Sequence, residues 1–336
     1  MKGRLGWTHA AFVVASIALV FVSVRATGAD FGETGRFFVQ GSLGGPGAWT
    51  RTLKELMPLL LLGTAVFVAL RAGLFNIGAD GQFTVGALGA AIVALTIGGT
   101  QGIVIGMLAG IVMGAFWAFP AGWIRAYRGG HEVISTIMLN NVARLLTLYL
   151  VKGPIKDPAQ QGQTTANFPI ATNLPEFTFP SGTIVSSGLV LGMLVLLGFW
   201  LWERKTVAGY ELNLVGANPT AAAAAGVSAR NVTLGAMVVS GAVAGFAGAL
   251  FVLGHEHRFY ANLSPGYGFD ALGVAMLAVS GAPAIIPAAL AFAVVSTGTA
   301  AIQILGVPRG LSGVILGLTL LGVAAITGVR RKTAHE

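Results

Sequence analysis

The stretch "LFNIGADGQF", residues 74–83, decides how this chain is built. Apolar sequence surrounds it, yet it carries two side-chain amides, Asn76 and Gln82, and the carboxylate of Asp80, with glycines that interrupt a helical pattern. Inside a bilayer, a helix break is tolerated only where it is buried in protein or faces a water-filled cavity. The stretch therefore predicts a loop between two helix ends beside a polar cavity.

The amino-acid composition indicates that the chain is embedded in a lipid bilayer. Of its 336 residues, 55% are hydrophobic and 10% are charged, and the mean hydropathy is +0.79. A soluble domain has about 25% charged residues. Apolar runs close to the ~20 residues that cross a bilayer recur along the chain, so we expect an all-α polytopic membrane protein with about ten transmembrane helices. The predicted spans are 9–24, 53–71, 80–97, 102–124, 132–151, 184–203, 231–253, 265–281, 283–303 and 311–328.

Basic residues indicate the orientation of these spans. The net charge of +8 comes from Lys and Arg residues scattered singly or in pairs between apolar runs, which is typical of topology signals and not of a nucleic-acid-binding surface. The positive-inside bias places both termini in the cytoplasm. Residues 1–52 then form a first span and an outer loop, and the second long outer loop is 152–183. Both loops are expected to be irregular and solvated.

Within the break, Asp80 is predicted to cap a helix that starts with Gly81 and Gln82. Asn76 and Gln82 would then offer neutral donors and acceptors to a polar solute. Phe75 could present a flat apolar surface to a ring, although packing is the commoner role of such a residue.

Glycine spacing predicts close helix packing. Gly102, Gly106, Gly110 and Gly114 recur every four residues, and Gly241 and Gly245 repeat that spacing. Such a face lets another helix approach closely.

The two halves of the chain also share a weak sequence similarity. "FNIGADGQFTVGALGAA" and "YGFDALGVAMLAVSGA" both place an acid in a Gly-rich opening before a small-residue helix. Duplication and chance similarity among Gly/Ala-rich spans both stay open.

Motifs of other chemistries are missing from the sequence. It has no cysteine, no G-x-x-x-x-G-K-[ST] loop, no G-x-S-x-G and no H-E-x-x-H. His255 and His257 have a spacing that could serve a metal only with a third ligand, so no metal site is predicted. Ionisable residues within spans normally face protein or water. Two roles are open for such residues: they line a polar pathway, or they pair with other groups and stabilise breaks in helices. The main candidates are Asp80, Glu132, Arg144 and Asp270.

Two motifs carry a family resemblance. "GLFNIGADGQ" and "GGHEVISTIMLNNVA", residues 129–143, resemble permease subunits of ATP-binding-cassette importers, in the branch that carries branched-chain amino acids, simple sugars and nucleosides. The second motif is most similar to the nucleoside-type permeases. The resemblance covers roughly residues 53–328.

The resemblance implies a permease bundle with broken helices that works as half of a pair, with a second permease chain that is usually different. It also implies a cytoplasmic ATPase pair that uses ATP and Mg²⁺, an external binding lipoprotein, and no cofactor bound by this chain. The implied solute pathway contains Phe75, Asn76, Asp80, Gln82, Glu132, Asn140, Asn141, Tyr267, Phe269 and Asp270.

The cytoplasmic segment 204–230 predicts a short helix, with Asn218 as its cap, Pro219 in the first turn and Gly226 at the exit. It resembles the coupling loop with which importer permeases contact their ATPases. The matching positions are Gly209, Glu211, Gly216, Asn218, Pro219 and Gly226. Thr220 departs from the family pattern, in which an acid is common.

These observations predict a permease subunit, in the cytoplasmic membrane, of an ATP-driven importer for a nucleoside or similar small polar solute. The same machinery carrying a simple sugar or a branched-chain amino acid is the nearest alternative. A proton-coupled secondary transporter using Asp80, Glu132 and Asp270 is an alternative of another class, and an intramembrane enzyme is a third.

Overall fold

The computed structural model describes residues 30–278 and 280–306, together with residues 25, 28, 314 and 317. The described part is almost entirely helical. In chain order the helices are α1 (Phe31–Leu43), α2 (Pro46–Arg71), α3 (Ala79–Thr96), α4 (Gly99–Arg128), α5 (Glu132–Lys152), α6 (Ser187–Lys205), α7 (Val207–Ala217), α8 (Pro219–Ala224), α9 (Ala229–Phe251), α10 (Tyr267–Leu277) and α11 (Ile285–Ile302). A two-stranded antiparallel hairpin, β1 (Glu176–Thr178) and β2 (Ile184–Ser186), precedes α6.

Within the described ranges, seven helices are long and apolar enough to cross a membrane: α2 to α6, α9 with its extension to Glu256, and α11 with its 3₁₀ ends. They correspond to seven of the ten predicted spans. The predicted spans 9–24 and 311–328 lie outside the described ranges.

The prediction of a full span over 265–281 is wrong. The helix there, α10, has 11 residues, so it is about 16 Å long, whereas the hydrocarbon core is about 30 Å thick. A second expectation, an irregular loop over 25–52, is also wrong. Residues Phe31–Leu43 form α1, because Asp30 accepts a hydrogen bond from the Glu33 amide (2.9 Å) and caps the helix.

Helices α2, α3 and α9 form the centre of the bundle. The most apolar stretches of these three are 72–78% buried, whereas that of α5 is only 17% buried. Helix α5 therefore presents most of its surface outside this chain, to lipid, to a cavity or to another protein.

The close helix packing predicted from glycine spacing is confirmed. Gly110 and Gly114 of α4 lie directly against the backbone of Gly241 and Gly245 of α9. A side chain at Gly114 would collide with the carbonyl oxygen of Gly241, so only glycine permits this approach.

The two ends of the bundle differ. At one end, called the hairpin end, the loop 153–175 lies on the segment after α9, with hydrogen bonds such as Thr165 N to Phe259 O (2.8 Å) and Leu174 N to Leu253 O (2.9 Å). The loop predicted over 152–183 is irregular over 153–175, apart from one 3₁₀ turn, but Glu176–Thr178 form strand β1. At the opposite end, called the α8 end, helices α7 and α8 connect α6 to α9.

Candidate solute pathway

The predicted break is present between α2 and α3, at residues 72–78. Gly73 adopts a left-handed conformation (φ 75°) and ends α2. The amides of Gly73 and Leu74 donate to the carbonyls of Leu70 and Ala69, both at 3.0 Å, which satisfies the last carbonyls of the helix. The turn at Gly73 therefore pairs two of the carbonyl groups at the end of α2.

The two amide side chains of the break bond to each other. Asn76 Nδ2 donates to Gln82 Oε1 (2.8 Å), and Gln82 Nε2 donates back to Asn76 Oδ1 (3.1 Å). Asn76 Nδ2 also donates to Ser240 Oγ of α9 (2.8 Å), and Ser240 donates to Ala65 O of α2 (2.5 Å). Asn76 is 0% and Gln82 1% exposed. In this conformation the pair joins the break to α2 and α9 and has almost no exposed surface.

Asp80 does not cap α3, in contrast to the sequence-based expectation. Helix α3 begins at Ala79 with Gly78 as its cap residue, and Asp80 lies inside its first turn. Its carboxylate instead accepts hydrogen bonds from Ser264 Oγ (2.5 Å) and from the amide of Gly268 (3.1 Å). Asp80 thus caps the neighbouring helix α10, where a negative charge next to a helix N-terminus is favourable.

Ser264 completes the support of α10. Its Oγ accepts from the amides of Gly266 and Tyr267, both at 3.2 Å. The cap residue Gly266 has no side chain for this task. The starts of α3 and α10 are therefore held together by one carboxylate and one hydroxyl.

Asn140 of α5 fixes the start of α3 from the other side. Its Nδ2 donates to Ile77 O in the break, and its Oδ1 accepts from the amide of Gly81, both at 2.8 Å. The rise of 1.5 Å per residue places Asn140 about 12 Å along α5 from Glu132. The break and both helix starts consequently lie deep within the bundle.

A cavity of about 210 Å³, here called the central cavity, lies at this level. Its lining is mostly polar and comes from α3, α5, α10 and the segment before α10. The lining residues are Asp80, Thr84, Ile137, Asn140, Asn141, Arg144, Thr147, Asn262, Leu263, Ser264 and Phe269.

Four residues of the predicted pathway meet at the central cavity: Asp80, Asn140, Asn141 and Phe269. Asp270 lies in the first turn of α10, partly buried and near enough to Asp80 for the two carboxylates to repel each other.

The other predicted pathway residues lie elsewhere. Glu132 is buried at the start of α5 and pairs with Arg125 (3.3 Å). Tyr267 is 5% exposed and packs edge-on against Phe83, with ring centroids 6.0 Å apart. Phe75 is 46% exposed. For all of these residues a role in transport stays a prediction.

Sequence reasoning missed six of the eleven residues that line the cavity, among them Asn262 and Ser264. The signal for Ser264 was present, since it precedes Pro265 and Gly266 at a helix start, where Ser is a preferred capping residue. Among the described residues, no group of three His, Cys, Asp or Glu side chains is placed to bind a metal ion.

Comparison with known proteins identifies the family. Residues 49–324 match the family described as the permease component of the branched-chain amino acid transport system. This chain belongs to that family.

Relatives of this permease are known from several organisms. A glucose ABC transporter permease protein of Haloferax volcanii is 34% identical over 93% of this chain and 84% of its own length. A nucleoside ABC transporter permease protein of Lactococcus lactis is 30% identical, covering 84% of this chain and 80% of the relative. A guanosine ABC transporter permease protein of Bacillus subtilis is also 30% identical, with 83% and 81% covered.

The short helix predicted in the loop 204–230 of this permease is confirmed as α8. Asn218 Oδ1 accepts hydrogen bonds from the amides of Thr220 and Ala221, both at 3.0 Å, and Pro219 is the first helical residue. After the helix, Gly226 adopts a left-handed conformation (φ 83°). A second helix, α7, precedes it and was not predicted. Thr206 Oγ1 accepts from the amide of Gly209 (3.1 Å) and caps α7.

Helices α7 and α8 connect an exposed surface to the break. Residues 217–221 and 223–226 are exposed. Gly216, at the end of α7, lies directly against the backbone of Arg71 and Ala72, where α2 ends and the break begins. Beside this contact, Arg71 forms an ion pair with Glu203 of α6. A displacement of α7 would therefore reach the break through backbone contacts.

Proposed function

We propose that this permease moves a neutral, hydroxyl-rich solute of nucleoside size inward across the cytoplasmic membrane, driven by ATP hydrolysis on partner subunits. The observation that carries the proposal is the central cavity. Two helix starts and a broken helix meet there, deep in the bundle, and that arrangement is typical of solute sites in transporters.

The lining supports a neutral solute. Asn141 and Asn262 offer amide donors and acceptors, which can pair hydroxyl groups without burying a further charge. The nucleoside and guanosine relatives support a nucleoside, and the "HEVISTIMLN" stretch is in keeping with it. The 34% identical glucose relative supports a monosaccharide as the second candidate.

The central cavity lies partly on α5, whose outer face is largely exposed. Asn141 and Arg144 interrupt that face, and a cation at the centre of lipid costs at least about 2.5 kcal/mol. We infer that this face borders a water-filled passage against a second permease chain, either a different chain or a second copy.

We place the α8 end in the cytoplasm and the hairpin end outside. Most basic residues of the hairpin end lie in the long segments 25–52 and 152–183, whose charges count less towards orientation, so the basic residues of the α8 end support this placement: Arg71, Arg125, Arg128, Arg204, Lys205 and Arg230. A partner ATPase would then hold α8, with the predicted contact residues Gly209, Glu211, Gly216, Asn218, Pro219 and Gly226. ATP and Mg²⁺ would bind to that partner and not to this chain. An external binding lipoprotein would deliver the solute to the hairpin end.

Reconstitution tests the proposal directly. The complex of permease, ATPase and binding protein is placed in liposomes, and uptake of labelled uridine and glucose is measured with ATP and with a nonhydrolysable analogue. We expect ATP-dependent uptake of uridine and slower uptake of glucose. Uptake by the permease alone, driven by a pH gradient, would support the secondary transporter instead.

A further inference from the structure

A second cavity lies near the hairpin end, between α2, the end of α9 and α11. It measures about 430 Å³ and is lined by Arg51, Lys54, Glu55, His255, Ser296, Thr297, Ala300, Ala301 and Ile304. We call it the Glu55 cavity. Ligand sites have volumes of about 300–1,000 Å³. The Glu55 cavity is within that range and the central cavity is below it.

Glu55 has a free acceptor in this cavity. Its carboxyl group lies near the hydroxyls of Tyr267 and Ser296, and its Oε2 is buried without a hydrogen-bond partner among the residues that the structure describes. Leaving a charged acceptor buried and unpaired is costly. A ligand that donates a hydrogen bond would remove this cost.

The other charged groups limit the charge of such a ligand. Lys54 pairs with Glu176 of β1 (3.7 Å), and Arg51 donates to the carbonyl of Gly41 (3.3 Å). These two cations disfavour a cationic ligand, and the carboxylate of Glu55 disfavours an anion. The lining therefore favours a ligand with no net charge that donates a hydrogen bond.

Part of the lining is apolar. Ala300, Ala301 and Ile304 provide it, next to the hydroxyl residues Ser296 and Thr297 one turn earlier in α11. Polar groups beside an apolar surface suit a sugar ring, which has hydroxyls at its rim and C–H groups on its face.

Helix α10 begins between the two cavities. Tyr267 lies beside Glu55, which lines the Glu55 cavity, and the amide of the next residue, Gly268, donates to Asp80, which lines the central cavity. A ligand in the Glu55 cavity would therefore affect Tyr267, whose neighbour Gly268 is hydrogen-bonded to Asp80.

We infer that the Glu55 cavity is a second solute station, which binds the sugar moiety of the solute through Glu55 before the solute enters the central cavity. This inference rests on the proposed function. It assigns to Glu55 a binding role in addition to the residues of the central cavity.

The test uses the assembled complex in nanodiscs without ATP, and labelled uridine and glucose as probes. Glu55→Gln keeps the size of the side chain but removes its charge. We expect it to weaken uridine binding about tenfold, since a hydrogen bond to a charged group contributes about 1.5–3 kcal/mol. The matched control is Glu33→Gln, because Glu33 is an exposed acid on α1.

A second measurement does not depend on Glu55. The natural chain has no cysteine, so a single cysteine introduced as Ala300→Cys can be labelled by a maleimide. We expect uridine to slow this labelling severalfold and to leave Ser181→Cys, in the exposed hairpin turn, unaffected. Unchanged binding by Glu55→Gln together with unprotected Ala300→Cys would overturn the inference while ATP-driven uptake continued. Absence of uptake by the natural complex would instead overturn the proposed function and, with it, this inference.

Discussion

Asn140 and Asn141 are adjacent on α5 and line the same cavity, but their side chains have different tasks. Asn140 bonds to both sides of the α3 start, through Ile77 O and Gly81 N. Asn141 Nδ2 donates only within its own helix, to Ile137 O at 3.2 Å, among the described residues. Asn140 therefore supports the fold, whereas the side chain of Asn141 is available to contact a solute.

We predict that Asn140→Leu lowers the free energy of unfolding by about 1 kcal/mol or more, because a partly buried donor and acceptor lose their partners. Asn141→Leu should leave the unfolding temperature unchanged and reduce uptake severalfold. Thermal unfolding of the purified complex and uptake in liposomes measure both effects. Equal loss of stability in the two variants would contradict this division of roles.

At the residue scale, sequence reasoning identified the polar side chains but not their partners. Asp80 was expected to cap α3 because only local spacing was considered, whereas Ser264 and Gly268, which it binds, are more than 180 residues away in sequence. Asn76 and Gln82 satisfy each other at a separation of six residues. Their mutual bond required the chain to turn back on itself within the break, which residue types alone do not specify.

Among the elements, α4 and α9 pack most closely through glycine. Hydropathy predicted both helices because lipid demands about 20 apolar residues in a row, and the four-residue spacing predicted the close face. The length of α10 was overestimated because a count of apolar residues does not show where a helix begins. Helix α1 was missed because its 13 residues include three glycines and resemble a loop.

We predict that Gly114→Leu prevents stable folding, since a side chain there would collide with the backbone of Gly241 and Gly245. The matched control is Gly198→Leu in α6, where no atom lies within 4 Å of the added Cβ. The yield of monodisperse protein and its thermal unfolding distinguish the variants. Normal folding of Gly114→Leu would show that the two helices can separate without cost.

The α7–α8 element is expected to transmit motion to the break through the contact of Gly216 with Arg71 and Ala72. We predict that insertion of two bulky residues between Ala221 and Ala225 leaves ATP hydrolysis by the complex active but reduces uptake at least about tenfold. The same insertion after Ser181, in the hairpin turn, should leave the ratio of ATP hydrolysed to solute transported unchanged. Normal coupling in the first variant would remove α8 from the transmission of motion.

On the scale of the whole molecule, the central position of α2, α3 and α9 leaves α5 at the periphery, so the central cavity opens toward a surface that a second chain would cover. The hairpin end and the α8 end would then have different roles in transport. Solute would arrive at the first, and motion driven by ATP would arrive at the second. This division requires that the two ends face opposite sides of the membrane, with the α8 end inside.

Because the chain has no cysteine, single cysteines can establish this orientation in intact cells. Ser181 and Ala224 are both exposed, one in the hairpin turn and the other at the end of α8. We predict that a membrane-impermeant maleimide labels Ser181→Cys in whole cells, and labels Ala224→Cys only after permeabilisation, because most basic residues of the hairpin end lie in the two longest loops, whose charges count less towards orientation. Labelling of Ala224→Cys in whole cells would invert the topology and place α8 out of reach of any cytoplasmic ATPase.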